Sequence, residues 1–215
     1  MFQGQRNREL PCNPAFFDFL SSELLSWSHG LYNLAADPRQ TVVGGSSFGG
    51  LAAACAGLQH SETFGNVLSQ SGSFHWLPPG DQSPDSGTDS EPNWVARQFI
   101  ASPKLQLRFY IAAGSEEFDV SGDGRSILVT TRTLRDVLLS KGYEVHFQQF
   151  AGGHDYLSWR GTLADGLIAL NCANGHSLGL GAGSRTEALT ACSVRSRSIW
   201  VAGRRAAILR QPRSA

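Results

Sequence analysis

Several features that mark other protein classes are missing from this sequence. No apolar run approaches the ~18–20 residues that a membrane-spanning helix needs, and the opening residues, MFQGQRNREL, lack the apolar stretch of a secretory signal peptide. The four cysteines lie far apart, with neither the paired spacing of a zinc site nor the density of a disulfide scaffold. We therefore expect a globular protein in the cytoplasm, with no membrane span and no metal site.

Net charge is also absent, because 18 basic and 18 acidic side chains cancel. The distribution is nevertheless uneven, since residues 172–215 contain seven arginines and one acid. An arginine-rich segment without interleaved aromatic residues is weak evidence for nucleic-acid binding, so we expect no nucleic-acid partner. Residues 171–215 are rich in Gly, Ser, Ala and Arg without a consistent period, which predicts a tail that is disordered or non-native.

The remaining part, residues 1–170, alternates between strand and helix patterns. Residues 1–12 are predicted to be a polar entry loop, and an amphipathic helix is predicted to follow the N-cap Asn13. Apolar or β-branched segments that precede turns predict strands at 41–43, 64–69, 107–113 and 145–150. Strands that alternate with helices predict parallel βαβ units, and thus an α/β fold with a mostly parallel sheet.

One motif that carries chemistry follows the first predicted strand. Gly45-Ser46-Ser47-Phe48-Gly49 matches G-x-S-x-G, in which a sharp turn raises the serine hydroxyl above the edge of the sheet. The helix that follows directs its first N–H groups and a partial positive charge at the reacting oxygen. We predict that Ser47 is the nucleophile and that the backbone N–H of Phe48 is an oxyanion donor. Ser46 is the rival nucleophile, but it lies one residue too early in the motif.

A serine nucleophile needs a base, because its hydroxyl is unreactive at neutral pH. The sequence has six histidines. His154 follows the last predicted strand in a Gly-Gly-His-Asp loop, at the carboxyl edge of the sheet where the reactive groups of α/β proteins meet. His75 also follows a strand and is the main competitor. We predict that His154 is the general base.

The acid that orients the histidine is less well defined by position. Hydrolases of this type use the chain order serine, acid, histidine, which places the acid after the strand at 107–113. Glu116, Glu117 and Asp119 all meet that condition. Asp155 is a further candidate, although side chains of adjacent residues rarely face one another. Position alone leaves these alternatives open.

Three segments resemble the enterochelin (enterobactin) esterase family. They are GSSFGGLAAACAGLQHSETFGNVLSQSGSFHW from Gly45, FAGGHDYLSWRGTLADGLIAL from Phe150, and NRELPCNPAFFDFLSSELLSW from Asn7. The resemblance implies an α/β-hydrolase three-layer sandwich, with residues 1–170 as the C-terminal catalytic portion. It also implies a serine esterase that cleaves a cyclic tri-catecholate siderophore, usually as its ferric complex, and so contributes to iron release. The family pattern Ala-Gly-x-x-Glu matches Ala113 to Glu117, which selects Glu117 as the acid.

The resemblance carries two further expectations. Members of the family normally have more strands before this region, including a loop that supplies a second oxyanion donor, so we expect a chain truncated on its N-terminal side and poorly active. A bulky ferric catecholate anion requires basic and aromatic contacts. Trp76 and Arg160 are the candidates for substrate binding, with Arg97 as a third, and no cofactor is expected. The alternatives are a general carboxylesterase of the same fold and an inactive remnant.

Overall fold

A computed structural model of the chain describes residues 2–81, 93–118, 124–172 and 198–202. The helices are α1 (Phe2–Glu9), α2 (Pro14–Asp18), a π-helical segment (Phe19–Leu24), α3 (Leu25–Leu31), α4 (Phe48–Gln59), α5 (Trp94–Ala101), α6 (Ile127–Ser140) and α7 (Tyr156–Cys172), with a 3-10 turn at Pro38–Gln40. The strands are β1 (Thr41–Ser46), β2 (Asn66–Gln70), β3 (Arg108–Gly114), β4 (Glu144–Phe150) and β5 (Ser198–Ala202).

The strands form one sheet in the order β4-β3-β2-β1-β5, and every neighbouring pair is parallel. Successive side chains of a strand point to opposite faces, and the two faces of this sheet enter different apolar clusters. One cluster combines the strand residues Val43, Val67, Phe109 and Ile111 with residues of α4, α5 and α6. The other combines Val42, Leu68, Tyr110 and Ala112 with Leu170 of α7. Helices therefore cover both faces, which confirms the predicted α/β three-layer architecture.

Helix α4 lies unusually close to β2, because the facing residues are small. A Cβ atom at Gly57 would lie 2.5 Å from the Val67 side chain, and one at Gly50 would lie 2.6 Å from Ser69 Oγ. The alanines between these glycines are buried. This close packing fixes the start of α4 against the carboxyl end of the sheet, directly after Ser47.

The first residues differ from the prediction of a polar loop, because Phe2–Glu9 forms helix α1. The segment has no apolar stripe, so hydrophobic periodicity does not indicate a helix there. Its Gln, Arg and Glu residues are nevertheless good helix formers. The guanidinium carbon of Arg6 lies 5.2 Å above the ring of Phe48, an attractive cation–π contact. Leu10, directly after the helix, is buried.

Two of the cysteines are joined, which their spacing did not predict. A disulfide links Cys12, before α2, to Cys55 in α4, with 5.4 Å between the Cα atoms and a separation of 43 positions in sequence. Closing a loop of that length in the unfolded chain favours the folded state by about 4 kcal/mol in the chain-entropy model. Such bonds persist in oxidising compartments, so this finding counts against the predicted cytoplasmic location.

The predicted tail is not wholly without structure. Helix α7 continues to Cys172, and Ser198–Ala202 forms β5, which pairs with β1 in parallel from the partners Thr41 and Ser198 onward. Both pieces lie within the predicted tail, and its disordered or non-native character stays a prediction. Residues 173–197 and 203–215 lie outside the described residues, and the domain boundary at residue 170 stays a prediction.

Candidate active site

Ser47 lies in the turn between β1 and α4 with a backbone conformation that few L-residues adopt. Its φ is 60° and its ψ is −125°, a strained conformation that costs on the order of 1–3 kcal/mol and persists only where surrounding contacts offset that cost. The Ser47 N–H donates to the Gln70 carbonyl at 3.0 Å, and the Ser47 carbonyl accepts from the N–H groups of Gly50 and Leu51 at 2.9 and 3.1 Å. These bonds impose the strained turn that the G-x-S-x-G motif predicts.

The neighbours of Ser47 occupy the two elements that the turn connects. Ser46 is the last residue of β1 and pairs with Gln70 in the parallel ladder, so it belongs to the strand rather than to the turn. Phe48 is the first residue of α4. The first N–H groups of a helix have no partner within the helix, so the Phe48 N–H is available to an oxyanion at this position.

Glu117 and His154 meet across the loops that follow β3 and β4. The Glu117 side chain is buried, with an exposed fraction of 1%. One carboxylate oxygen, Oε2, accepts from the Gly114 N–H at 3.0 Å, and the other, Oε1, lies 3.2 Å from His154 Nδ1. A buried carboxylate needs such partners. When Nδ1–H donates to Glu117, Nε2 is the free nitrogen that can accept a proton.

The other candidate acids occupy different positions. The Glu116 side chain is exposed, and its backbone N–H donates to the Gly152 carbonyl at 3.1 Å, which ties the acid loop to the histidine loop. Asp119 lies outside the described residues. Asp155 accepts from the Ser158 N–H at 2.9 Å and from the Ser158 hydroxyl at 3.2 Å, so it caps the first turn of α7.

If Asp155 is a helix cap and not a catalytic acid, its replacement should change stability and leave the reactivity of Ser47 nearly unchanged. The Ser158 backbone N–H holds the pKa of Asp155 below its ordinary value, so the cap contributes at neutral pH and is lost as the pH falls through that lowered pKa. We expect Asp155→Ala to lower Tm at neutral pH by about 2–4 °C. Asp155→Asn should retain Tm, because asparagine is an equally good cap.

Thermal unfolding and fluorophosphonate labelling of Ser47, measured side by side, check this expectation. Both variants should label within a few-fold of the wild type, because the hydrogen bonds of the Asp155 carboxylate go to Ser158 and only its charge acts on His154. A large loss of labelling in Asp155→Asn with an unchanged Tm would instead return Asp155 to the list of catalytic acids.

A residue that sequence reasoning missed lies against the nucleophile. Ser73 Oγ is 3.4 Å from Ser47 Oγ, and the Ser73 N–H donates to the Ser47 carbonyl at 3.2 Å. In the part of the chain that the structure describes, no hydrogen bond joins Ser47 to His154. Catalytic hydrogen bonds are often long or poorly aligned when no substrate is bound, so this arrangement does not exclude the pair. The position of Ser73 just after β2 was the available sequence signal.

The predicted substrate-binding residues lie in different settings. Trp76 is half-buried against the larger apolar cluster and meets Trp94 edge-on at 5.4 Å between ring centroids, while its backbone N–H donates to the Ser73 carbonyl at 3.0 Å. Arg160 is exposed on α7. Arg97 forms an ion pair with Asp81 at 3.3 Å, which occupies part of its guanidinium. These three roles stay predictions.

Comparison with known proteins gives a consistent set of relatives. A family model named Esterase matches residues 3–170. An iron(III) enterobactin esterase of Dickeya dadantii is 38% identical over 166 residues, which cover 75% of this chain and 36% of that protein. An iron(III) enterobactin esterase of Escherichia coli K12 is 34% identical over 166 residues, covering 77% of this chain and 38% of that protein.

Solved structures point the same way. The enterobactin esterase of Shigella flexneri, determined in the presence of enterobactin, has a TM-score of 0.64 and 36% identity, and the match covers 78% of this chain and 39% of that one. A ferulic acid esterase at 18% identity and a TM-score of 0.56 shows the shared fold alone. The chain spans 36–38% of the length of the two curated enterobactin esterases above. With most of its length matched, the chain belongs to the Esterase family, as a relative of the enterochelin (enterobactin) esterases.

Proposed function

We propose that this chain carries the catalytic segment of a serine esterase that hydrolyses the ester bonds of a catecholate siderophore, with the ferric complex as substrate. The observation that carries the proposal is the strained Ser47 turn at the carboxyl edge of the sheet, where the loops after β3 and β4 hold the buried Glu117 against the half-buried His154. The relatives named as iron(III) enterobactin and salmochelin esterases support this substrate class.

The proposed mechanism assigns one role to each of these groups. His154 Nε2 accepts the proton of the Ser47 hydroxyl as Oγ attacks the ester carbonyl carbon. Glu117 stabilises the imidazolium that results, because its carboxylate lies 3.2 Å from Nδ1. The Phe48 N–H donates to the oxyanion of the tetrahedral intermediate. The imidazolium then protonates the leaving alcohol, and a water molecule hydrolyses the acyl-serine by the same sequence of proton transfers.

The number of oxyanion donors affects the rate that we expect for this chain and for the protein that contains it. The proposed mechanism uses one donor, the Phe48 N–H, and the family resemblance implies a second donor from a loop before this region. An enzyme that lacks one of its two oxyanion donors loses ~10²–10³-fold in rate. Since the chain spans 36–38% of the relatives' length, the full activity is proposed for the protein of which these residues form the catalytic segment. For the 215-residue chain alone, we expect measurable but slow turnover.

A direct comparison of substrates tests this function. We expect kcat/KM for ferric enterobactin to exceed that for a short-chain aryl ester by on the order of tenfold or more, because binding energy from remote parts of a specific substrate is used in the transition state. Chromatographic analysis of the cleaved esters gives the rates, with Ser47→Ala as the blank. Equal rates would favour a general carboxylesterase, and no turnover of either ester would favour an inactive remnant.

We also propose that the enzyme acts in the cytoplasm, where iron from an imported siderophore would be released. Of the helices in the described residues, none combines the length and the hydropathy that crossing a membrane requires. The Cys12–Cys55 disulfide is the observation against this location. Alkylation of free thiols in rapidly quenched cells, followed by peptide mapping, distinguishes a cytoplasmic location from an oxidising one. In a cytoplasmic protein both Cys12 and Cys55 should be alkylated.

A further inference from the structure

Trp159, in the first turn of α7, packs edge-on against the imidazole of His154. The two ring centroids lie 4.9 Å apart with an interplanar angle of 86°. The indole is buried, with an exposed fraction of 8%. Aromatic contacts of this geometry are directional as well as apolar, so the indole restricts the plane that the imidazole can adopt.

The indole is itself held in place by the end of β2. Its Nε1–H donates to Ser71 Oγ at 2.9 Å, and the Trp159 carbonyl accepts from Gln70 Nε2 at 2.6 Å. Ser71 is fully buried, has a φ of 49°, and donates its own N–H to the Ala112 carbonyl of β3 at 2.7 Å. A side chain and a backbone group of Trp159 are thus both anchored to the central strands.

The residues that anchor Trp159 belong to the same short segment that contacts the nucleophile. The Gln70 carbonyl accepts from the Ser47 N–H at 3.0 Å, and the Ser73 N–H donates to the Ser47 carbonyl at 3.2 Å. The segment from Gln70 to Ser73 therefore contacts Ser47 on one side and Trp159 on the other. It links the position of the nucleophile to the position of the group that packs on the histidine.

We propose that Trp159, anchored by Ser71, is a positioning residue that sets the orientation of the His154 imidazole relative to Ser47. A single hydrogen bond from Nδ1 to Glu117 holds one edge of the imidazole and does not by itself fix the plane of the ring. The indole supplies the missing restraint on the ring plane. The inference rests on the proposed serine–histidine chemistry and deepens it by naming what aligns its base.

Three variants separate alignment from simple packing. Trp159→Leu removes the aromatic ring, Trp159→Phe keeps a ring but loses the donor to Ser71, and Ser71→Ala keeps the Cβ atom but loses the acceptor. Leu163→Ala is the matched control, since Leu163 lies on the same helix and packs on the cluster that contains Leu68 and Tyr110. All four are compared with the wild type well below their measured Tm values.

The readouts are the rate of fluorophosphonate labelling at Ser47, kcat and KM on an aryl ester, and the proton NMR signal of His154 Nδ1–H. Misplacing a catalytic group by about 1 Å costs on the order of 10²-fold, so Trp159→Leu should lose about that much in labelling rate and kcat with little change in KM. Trp159→Phe and Ser71→Ala should lose about tenfold. Leu163→Ala should lower Tm and leave the labelling rate and the Nδ1 signal unchanged.

The outcomes distinguish this inference from the proposed function. If Trp159→Leu labels at the wild-type rate with an intact Nδ1 signal, Trp159 is only a packing residue and the inference is overturned. If the wild-type chain neither labels nor turns over ester, the proposed function fails for this chain. The NMR signal then still decides the positioning role: its loss in Trp159→Leu but not in Leu163→Ala supports the role, and its persistence in both rejects it.

Discussion

Replacing Ser47 by alanine should abolish fluorophosphonate labelling and reduce ester hydrolysis by on the order of 10⁴-fold or more. The hydroxyl is the atom that attacks the carbonyl, and its removal leaves no nucleophile in the strained turn. Alanine keeps the Cβ atom and meets the same backbone cost at a φ of 60°, so the fold should be retained. Peptide mapping of the labelled wild type, with Tm of the variant as the structural check, measures both parts.

Two neighbouring serines provide the controls for this experiment. Ser46→Ala changes a residue of β1 and should label normally. Ser73→Ala removes the hydroxyl that lies 3.4 Å from Ser47 Oγ, which frees Ser47 to turn towards His154 and should leave labelling possible. A label mapped to Ser46 or to Ser73, rather than to Ser47, would reassign the nucleophile and with it the role of the G-x-S-x-G motif.

The second large effect is expected at His154. His154→Ala should lower kcat by on the order of 10³-fold or more with little change in Tm, because proton transfer to and from the reacting oxygens is lost. Glu117→Gln should cost less than either the serine or the histidine substitution. It removes the charge that stabilises the imidazolium but leaves the nucleophile–base pair, and the third member of such triads is the least costly to lose.

Other histidines test whether this loss is specific. His146 is a half-buried residue of β4 that is hydrogen-bonded to Glu144 at 3.1 Å, so His146→Ala should retain full activity and serves as the matched control. His75 follows β2 and is buried. If His75→Ala proved more damaging to kcat than His154→Ala at equal Tm, the base would have to be reassigned. Full activity of Glu117→Gln would likewise move the acid role to Glu116, Asp119 or Asp155.

Much of this architecture was predictable because its signals are local. The turn around Ser47 is encoded by glycines within a few residues of it, and each of the strands β1 to β4 is a short apolar or β-branched run bounded by turn residues. The parallel arrangement follows from the alternation of strands and helices and the right-handed crossover. The carboxyl ends of parallel strands share one edge, so the order along the chain already placed Ser47 and His154 at the same edge.

Contacts between residues far apart in sequence were decided only by tertiary packing. Position in the chain does not separate the adjacent acids Glu116 and Glu117, and the family pattern selected Glu117. In the structure only Glu117 of the two is buried, where it contacts Gly114 and His154. The residues Ser71 and Trp159 are 88 positions apart.

The sequence by itself therefore determined the strands β1 to β4, the helices that connect them, their order and the candidate nucleophile and base, since these depend on local propensity and on general rules of connection. The tertiary structure alone decided the Cys12–Cys55 disulfide, the pairing of β5 with β1, the contact between Glu117 and His154 and the indole that packs on the histidine. Each of these depends on the distance between side chains or strands after packing, which no local pattern specifies.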